Sequence, residues 1–547
     1  MRIGKFHIKS VILLILMYIT LFCIFSMNAQ ANESIPETVR IGLYFSDQRT
    51  GSAPVSSVSI YCASGIDVAH CKNNGENSLI FNFRFLRESS RLELFKYSFS
   101  NRCSVAVVTG SQTLSAALWT MEDLATKGYS PLLAYVGSWK VLVGGFDGLE
   151  EASAYIDGTL RSALPGYNFE ATNLSGIYTG LSVDGGLSFI FDAVSGDIRL
   201  SPANGSQSPI LVENRLYRGH IEVLRTSEGD MTVVNVLSLN DYLYGVVPRE
   251  IQAVSNAEAL KAQAVAARTY TINSMGKHQS LRFDLCNETE CQVYGGMSDE
   301  DVNTTKAVDD TNNEIVRWQG DPAQVFYFAS SGGHTENVKN VWGTEFPYLE
   351  GVEDRYESGT SYRYRWETTY TAAQIRDQLL EAGVDIGNIR SVSITAMSDA
   401  GRAIEVTVTG TKGSKIYENE ECRYFLKDLY SQLYNVRAVG GEGNDATLVG
   451  VNAMTIDGAG NRKDLYLSGI KAASATGFAD LPSGGGLVVQ SKSGKSAFPT
   501  VGDRFTFSGR GWGHGVGMSQ EGAKGMAAAG FTYIQILKHY FPGCDVG

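Results

Sequence analysis

Residues 239–270 read Leu-Asn-Asp-Tyr-Leu-Tyr-Gly-Val-Val-Pro-Arg-Glu-Ile-Gln-Ala-Val-Ser-Asn-Ala-Glu-Ala-Leu-Lys-Ala-Gln-Ala-Val-Ala-Ala-Arg-Thr-Tyr. In the second half, Ser255 and Glu258 form an S-x-x-E capping box, which predicts a helix starting near Asn256. Ala257, Leu260, Ala264, Ala267 and Thr271 follow at spacings of three and four, giving that helix one buried face. So many alanines let another element approach closely. Glu258, Lys261, Val265 and Arg268 share a neighbouring stripe, and Gln263 and Tyr270 project from a different side. The first half reads as an apolar strand up to Pro248, with Glu250 just before the helix. A carboxyl against Val246, Val247 and Ile251 is partly desolvated, which raises its pKa and suits it to donate a proton. The plainer reading of Glu250 is a surface carboxylate or a partner for Arg268, because exposed Glu is common.

Three stretches downstream hold further residues of chemical interest. Asp284-Leu285-Cys286 is followed by Cys291-Gln292-Val293-Tyr294-Gly295-Gly296. Phe328-Ala329-Ser330-Ser331-Gly332-Gly333-His334-Thr335-Glu336 precedes Val341-Trp342-Gly343 and Pro347-Tyr348-Leu349. The third stretch is Gly509-Arg510-Gly511-Trp512-Gly513-His514-Gly515-Val516-Gly517-Met518-Ser519-Gln520. His278, Cys286, Glu290 and Cys291 make a candidate zinc set, because thiolate with imidazole suits tetrahedral zinc. A Cys286–Cys291 disulfide and two free thiols are the alternatives. The run 330–333 reads as a tight turn after the strand 325–329. Ala329 stands where a nucleophile elbow needs Gly, which argues against a serine hydrolase. Backbone N–H groups and hydroxyls that bind sugar are the better reading. The Gly-rich run 509–517 lacks the ending of a phosphate loop. Its glycines permit close backbone approach, either in a tight corner that packs Trp512 or at a cleft edge bearing His514 and Gln520.

In this order the blocks resemble the SpoIID/LytB family. Glu250-Ile251 and residues 259–270 are similar to its "E-M … EALKAQAVAARTY". The later blocks are similar to its "D-x-C … H-C-Q-x-Y-x-G", "ASSGG-x-TE … VWG … PYL" and "GRGWGHGVGMSQ". The resemblance spans roughly residues 215–545 and implies an α+β fold, with mixed strands and a few helices forming a cleft-bearing domain. It also implies an activity. The family's sporulation members are lytic transglycosylases acting on glycan strands stripped of peptide stems, and the Glu before the helix is their catalytic residue. Its LytB-type members are described as enhancers of a wall amidase.

The reaction fits one carboxylate, although an ordinary glycosidase needs two. Glu250 protonates the leaving glycosidic oxygen, then takes the proton from the muramoyl 6-hydroxyl, whose attack is intramolecular. Glu336 is the second-carboxylate candidate, with a helix-start role as its plainer reading. Substrate binding falls to Lys261, Gln263, Arg268, Ser330, Ser331, Tyr348 and His514. For Lys261 and Arg268 the competing reading is a solvated stripe paired with Glu258. Some family members carry zinc at the position of His278, Cys286 and Cys291, but Glu290 here replaces the family's usual His. No cofactor is expected to be required, and a structural Zn2+ is the one candidate. The expected partners are peptidoglycan glycan strands, and a wall amidase or sporulation machinery proteins.

The N-terminus has Arg2, Lys5 and Lys9, an apolar run from Val11 to about Met27, and Ala29-Gln30-Ala31. This is the layout of a signal peptide over residues 1–31, with an uncleaved anchor as the alternative because the run is near membrane-spanning length. Either way the bulk of the chain is expected outside the cytoplasm, in the wall or on the outer face of the membrane. Removing residues 1–31 leaves 43 basic against 58 acidic residues. Such a chain is a poor nucleic-acid binder, since neutralising phosphates needs a basic patch. An odd number of cysteines remains, and Cys62, Cys71 and Cys103 hold one bridge at most. Residues 35–128 read as an N-terminal α+β region. Residues 130–185 contain a strand ending Gly144-Gly145-Phe146 and a helix opening with Glu151-Ala152, and resemble a SPOR-type glycan-binding module. An ordinary βαβ fragment is the alternative. Residues 190–547 make up the main domain, with a loop-rich insertion over 440–500 that is rich in Gly, Ser and Asn. The hairpin signal Glu228-Gly229-Asp230 joins two of its strands.

Overall fold

The computed structural model describes residues 35–547 apart from 48–50, 72–78, 86–90, 98–102, 109–112, 174–177, 193–195, 206, 226–229, 440–451, 457–461, 467–470, 475–476, 481–487, 492–493, 498–499 and 502. The expected signal or anchor, 1–31, lies outside the described residues, as does the side chain of Cys103. No helix among the described residues is long and apolar enough to cross a membrane.

Residues 239–250 form a helix, Leu239–Glu250, where the sequence suggested a strand. Ser238 caps it by accepting from the Asp241 N–H. Leu239, Tyr242, Leu243, Val246 and Val247, spaced by three and four, are all buried. A short apolar run does not decide between helix and strand by its hydrophobicity; here the cap and the spacing do. Pro248 sits in the last turn, and the chain turns extended at Ile251. The next helix, Ala257–Asn273, is capped by Asn256, whose side chain accepts from the Glu258 N–H. The expected box with Ser255 does not form, because the Glu258 carboxylate accepts from the Tyr533 N–H instead.

Helix Ala257–Asn273 is the centre of the domain. Leu239–Glu250, Val302–Asp310, Gln520–Ala528 and Tyr533–Tyr540 all pack on it. Ala259, Ala262, Ala264, Ala266 and Ala267 are buried and point in several directions. The alanines therefore serve close packing on most sides, as a helix that is apolar nearly all round requires.

The fold is α+β, with two large sheets. One has the strand order Leu285–Cys286, Thr38–Tyr44, Met231–Ser238, His220–Arg225, Asp197–Pro202, Ile66–Cys71 and Leu79–Phe85. Its second strand pairs Thr38 with Ser238 and Arg40 with Val236. The strands of 35–128 are thus shared with the main domain, and a boundary near 190 does not separate them. His220–Arg225 and Met231–Ser238 pair antiparallel; the expected turn at Glu228-Gly229 lies outside the described residues.

The other sheet has ten strands. At one end of it Cys103–Val108, Leu114–Thr126, Pro131–Tyr135, Trp139–Phe146, the helical run from Leu149 to Ala163 and Asn168–Asn173 form a β-α-β-β-α-β unit. The strand Tyr178–Val183, which sequence placed in the 130–185 module, instead pairs with Leu92–Tyr97 and Gly186–Asp192. The compact unit therefore runs from Cys103 to Asn173. Cys62 and Cys71 are buried free thiols, so no bridge joins them.

A second core lies between Arg365 and Arg510. It is built on the sheet Arg365–Thr371, Arg504–Arg510, Tyr434–Val439 and on the antiparallel strands Ile389–Met397, Ala403–Gly410 and Ser414–Glu418. The expected insertion falls within this part, where Asn452–Ile456 pairs antiparallel with Arg462–Tyr466 and Lys471–Ser474 with Gly477–Asp480. Outside the second core, Tyr327–Phe328 pairs in parallel with Met518–Ser519, and Ser330 bridges to Trp512.

Candidate active site

Glu250 is the last residue of helix Leu239–Glu250 and lines a cleft of about 810 Å³. The residue as a whole is half-buried there. The Val293 N–H and the Gln520 side-chain amide donate to its two oxygens, each at 3.4 Å. These bonds and the Arg249 charge favour ionisation, but burial outweighs them and pushes the carboxyl up to about 7. Such a group holds and releases a proton with nearly equal ease at neutral pH, the condition for one residue to act first as acid and then as base.

The floor beside Glu250 is braced by the Cys291-Gln292-Val293 block. The Gln292 amide donates to the Tyr327 hydroxyl at 2.8 Å and its oxygen accepts from Thr271 at 2.8 Å. The walls are aromatic. Tyr430 stacks on Trp512 with centroids 4.0 Å apart and planes at 16°. Phe326 and Trp342 pack with centroids 4.6 Å apart. Flat apolar faces with polar rims suit a pyranose ring.

Of the candidate site residues picked out by sequence, Glu250, Glu290, Cys291 and His514 line this cleft. His514 does so as a neutral ring. Its Nε2 donates to the Tyr327 carbonyl at 3.0 Å, and its Nδ1 accepts from the Val516 N–H at 3.1 Å. Burial pushes its pKa down to about 3. With both nitrogens engaged it offers a ring wall, not a proton.

The other expected sugar binders point elsewhere. Arg268 is fully buried and donates to the carbonyls of Val308, Thr311 and Glu314. It caps the C-terminus of helix Val302–Asp310, where a cation satisfies orphan carbonyls. Gln263 is fully buried in the same central helix. Lys261 pairs with Glu258 and Asp310 and lies over the Tyr533 ring, which is the plainer of the two readings of its stripe. Ser330 and Ser331 donate to the Glu357 carboxylate, which also accepts from the Gly332 N–H. Tyr348 is buried against Trp318 and accepts from the Gln324 N–H. Glu336 is buried, accepting from Ser398, Asn340 and the Asn337 N–H. It braces the start of the short helix Lys339–Trp342. All of these tie the domain together behind the cleft.

Arg402 makes a further tie. Its buried guanidinium donates to the carbonyls of Ser331 and His334, and a Cβ at Gly515 would lie 2.7 Å from its Cζ. That approach, with φ of +90° at Gly515, is why the loop beside His514 needs glycine.

His278, Cys286 and Cys291 converge, with their ligand atoms within 4.8 Å of one another. The Cys291 sulfur lies 3.3 Å from His278 Nε2. Hydrogen bonding from Cys286 holds Cys291 below the usual thiol range, and the same contact with burial raises Cys286. Both are free thiols here. A buried S,S,N set with one partner poised to ionise fits zinc chemistry. Glu290 is not part of the cluster: its carboxylate lies 3.8 Å from Lys277.

Sequence reasoning missed the far wall of the cleft, Glu420, Arg423, Tyr424, Leu429 and Tyr430. The local density of Tyr and Arg was the only signal, and nothing in spacing links it to Glu250.

Two family models match parts of the chain. Residues 227–318 match the SpoIID model, described as stage II sporulation protein. Residues 346–461 match a domain of unknown function. Over 313 residues the chain is 31% identical to an amidase enhancer of Bacillus subtilis, covering 55% of this chain and 39% of that protein. It is 28% identical over 342 residues to stage II sporulation protein D of the same organism, covering 60% of this chain and 78% of that protein. It is 29% identical over 317 residues to an uncharacterized protein of Brachyspira hyodysenteriae, covering 58% and 68%. The chain thus spans about two fifths of the amidase enhancer and most of the other two.

Proposed function

The chain belongs to the SpoIID/LytB family, and from that premise we propose that it is an exported lytic transglycosylase that cuts peptidoglycan glycan strands in cell-wall remodelling. One observation carries the reading: Glu250, with its carboxyl near neutrality, lies in an open cleft walled by aromatic rings. A glycan laid along Tyr430 and Trp512 presents a glycosidic oxygen to Glu250. The carboxyl delivers its proton as the C1–O bond breaks. The resulting carboxylate then takes the proton of the 6-hydroxyl as that oxygen closes on C1. No water is consumed, and the carboxyl ends protonated, ready for the next bond. The Val293 and Gln520 donors steady the anionic stage.

His278, Cys286 and Cys291 are read as holding a structural zinc ion, which would fix the loop that carries Val293. The β-α-β-β-α-β unit is read as an accessory glycan-binding module, in line with its SPOR-like sequence.

Incubation with peptide-free glycan strands, followed by mass analysis for 1,6-anhydromuramoyl ends, tests the reaction. Wild type is expected to generate such ends and Glu250→Gln to give none. Equal yields from both would remove Glu250 from the chemistry. The similarity to an amidase enhancer favours a second reading, a helper that binds glycan and stimulates an amidase. That reading gains if neither protein cuts but both accelerate stem-peptide release by a wall amidase.

A further inference from the structure

Arg423 lines the cleft and lies outside the family-matched segment. Its side chain is only 12% exposed. Among the described residues its guanidinium donates no hydrogen bond, and its Nε is buried without a partner. Its one carboxylate neighbour is Glu420, at 3.5 Å. One oxygen of Glu420 is already taken by the Trp342 indole N–H at 2.7 Å. The Arg423 Cζ lies over the Tyr424 ring, 4.3 Å from its centroid. The other cation of the cleft, Lys277, is engaged, donating to the Glu290 carbonyl at 2.6 Å.

A buried guanidinium N–H with no acceptor is costly, and the rest of the group lines the open cleft, where a ligand can accept from it. A planar fork matches a carboxylate in two parallel bonds. We propose that Arg423 is an anion-reading subsite of the cleft, and that the polymer bound there carries a carboxylate on a sugar next to the ring it stacks. This rests on the glycan reading above and assigns a residue to it: Arg423 is what reads the free lactyl carboxylate that a peptide-free strand exposes on its acidic amino sugar. An amide at the same carbon keeps the carbonyl oxygen but loses the charge and one acceptor oxygen. Arg423 therefore sets specificity and does not take part in the proton transfers.

The test uses the full chain with Glu250→Gln, so that binding is measured without turnover. Three soluble probes are compared: a glycan oligomer with free lactyl carboxylates, the same oligomer with those carboxylates amidated, and a neutral N-acetylglucosamine oligomer of equal length. Quenching of Trp512 fluorescence or calorimetry reports Kd. The parent is expected to bind the free acid about tenfold or more tightly than the amide, as for a charged hydrogen bond. Arg423→Gln is expected to abolish that preference and leave the neutral oligomer unchanged. Arg423→Lys is expected to restore part of it. Because Arg423→Gln strips Glu420 of its partner, the double change Glu420→Gln with Arg423→Gln supplies a second variant, expected to behave alike. A preference that survives in both, or a parent that binds acid and amide equally, overturns the proposal and leaves the glycan reading standing. Failure of all three oligomers to bind the parent overturns both.

Discussion

Glu250→Gln is expected to make the protein more stable at alkaline pH while removing its activity. The carboxyl titrates near 7 in the folded chain against an ordinary value of 4.5. Each pKa unit corresponds to about 1.4 kcal/mol between the two protonation states, so the fold disfavours the ionised form by at most about 3 kcal/mol. The sign follows from which state sheds its proton first. Below 4.5 both states are protonated, and Glu and Gln differ little. As pH rises from 4.5 toward 7 the unfolded chain ionises first, and wild type loses stability relative to the glutamine variant. Above 7 the folded carboxyl ionises too and the difference levels off. At pH 5 the gap is expected to be under about 1 kcal/mol, and near pH 8 about 3 kcal/mol. Urea titrations of both proteins between pH 5 and 8 read this directly. A gap of constant size across that range would falsify the desolvated carboxyl on which the acid/base argument stands.

Arg268→Ala is expected to lose about 3–5 kcal/mol of stability, because three buried carbonyls are left without a donor and a cavity opens; activity per folded molecule should survive, and a normal unfolding curve with lost turnover would contradict the capping role. Tyr430→Ala removes the stacking partner of Trp512 and is expected to raise KM for glycan about tenfold with kcat little changed, as for one lost aromatic contact of about 1–2 kcal/mol; a fall in kcat alone would place Tyr430 outside the binding surface. Purified protein is expected to hold one zinc per chain by elemental analysis, with Cys291→Ser losing both the metal and several degrees of Tm; full stability without metal would favour plain thiols.

The residues nearest the chemistry were readable in the sequence, and those around it often were not. Glu250 and His514 stand in dense motifs, and the cleft does gather them. The role of His514 was not readable, since only the Tyr327 carbonyl and Val516 N–H, from two other positions, reveal that both nitrogens are spoken for. Arg268 and Gln263 were misplaced for one reason. A periodic pattern assumes a helix with a wet side, and Ala257–Asn273 has almost none. Polar residues on such a helix turn inward, to caps and packing. The strand expected at 239–247 failed because an apolar run of that length is ambiguous without its cap. Arg423 and Tyr430 were illegible because they reach the cleft from a separate core, far along the chain.

The parallel pairing of Tyr327–Phe328 with Met518–Ser519 has a consequence for timing. About 190 residues separate the two partners, and the intervening chain makes a core of its own. Closing so long a loop adds little entropy beyond a loop half its size, yet it cannot happen before the last strand is available. A nascent chain therefore carries Glu250 long before Trp512 and His514, which line the same cleft, and before Gln520, whose amide donates to its carboxylate. The cleft around that carboxyl is completed only after the whole second core has been made.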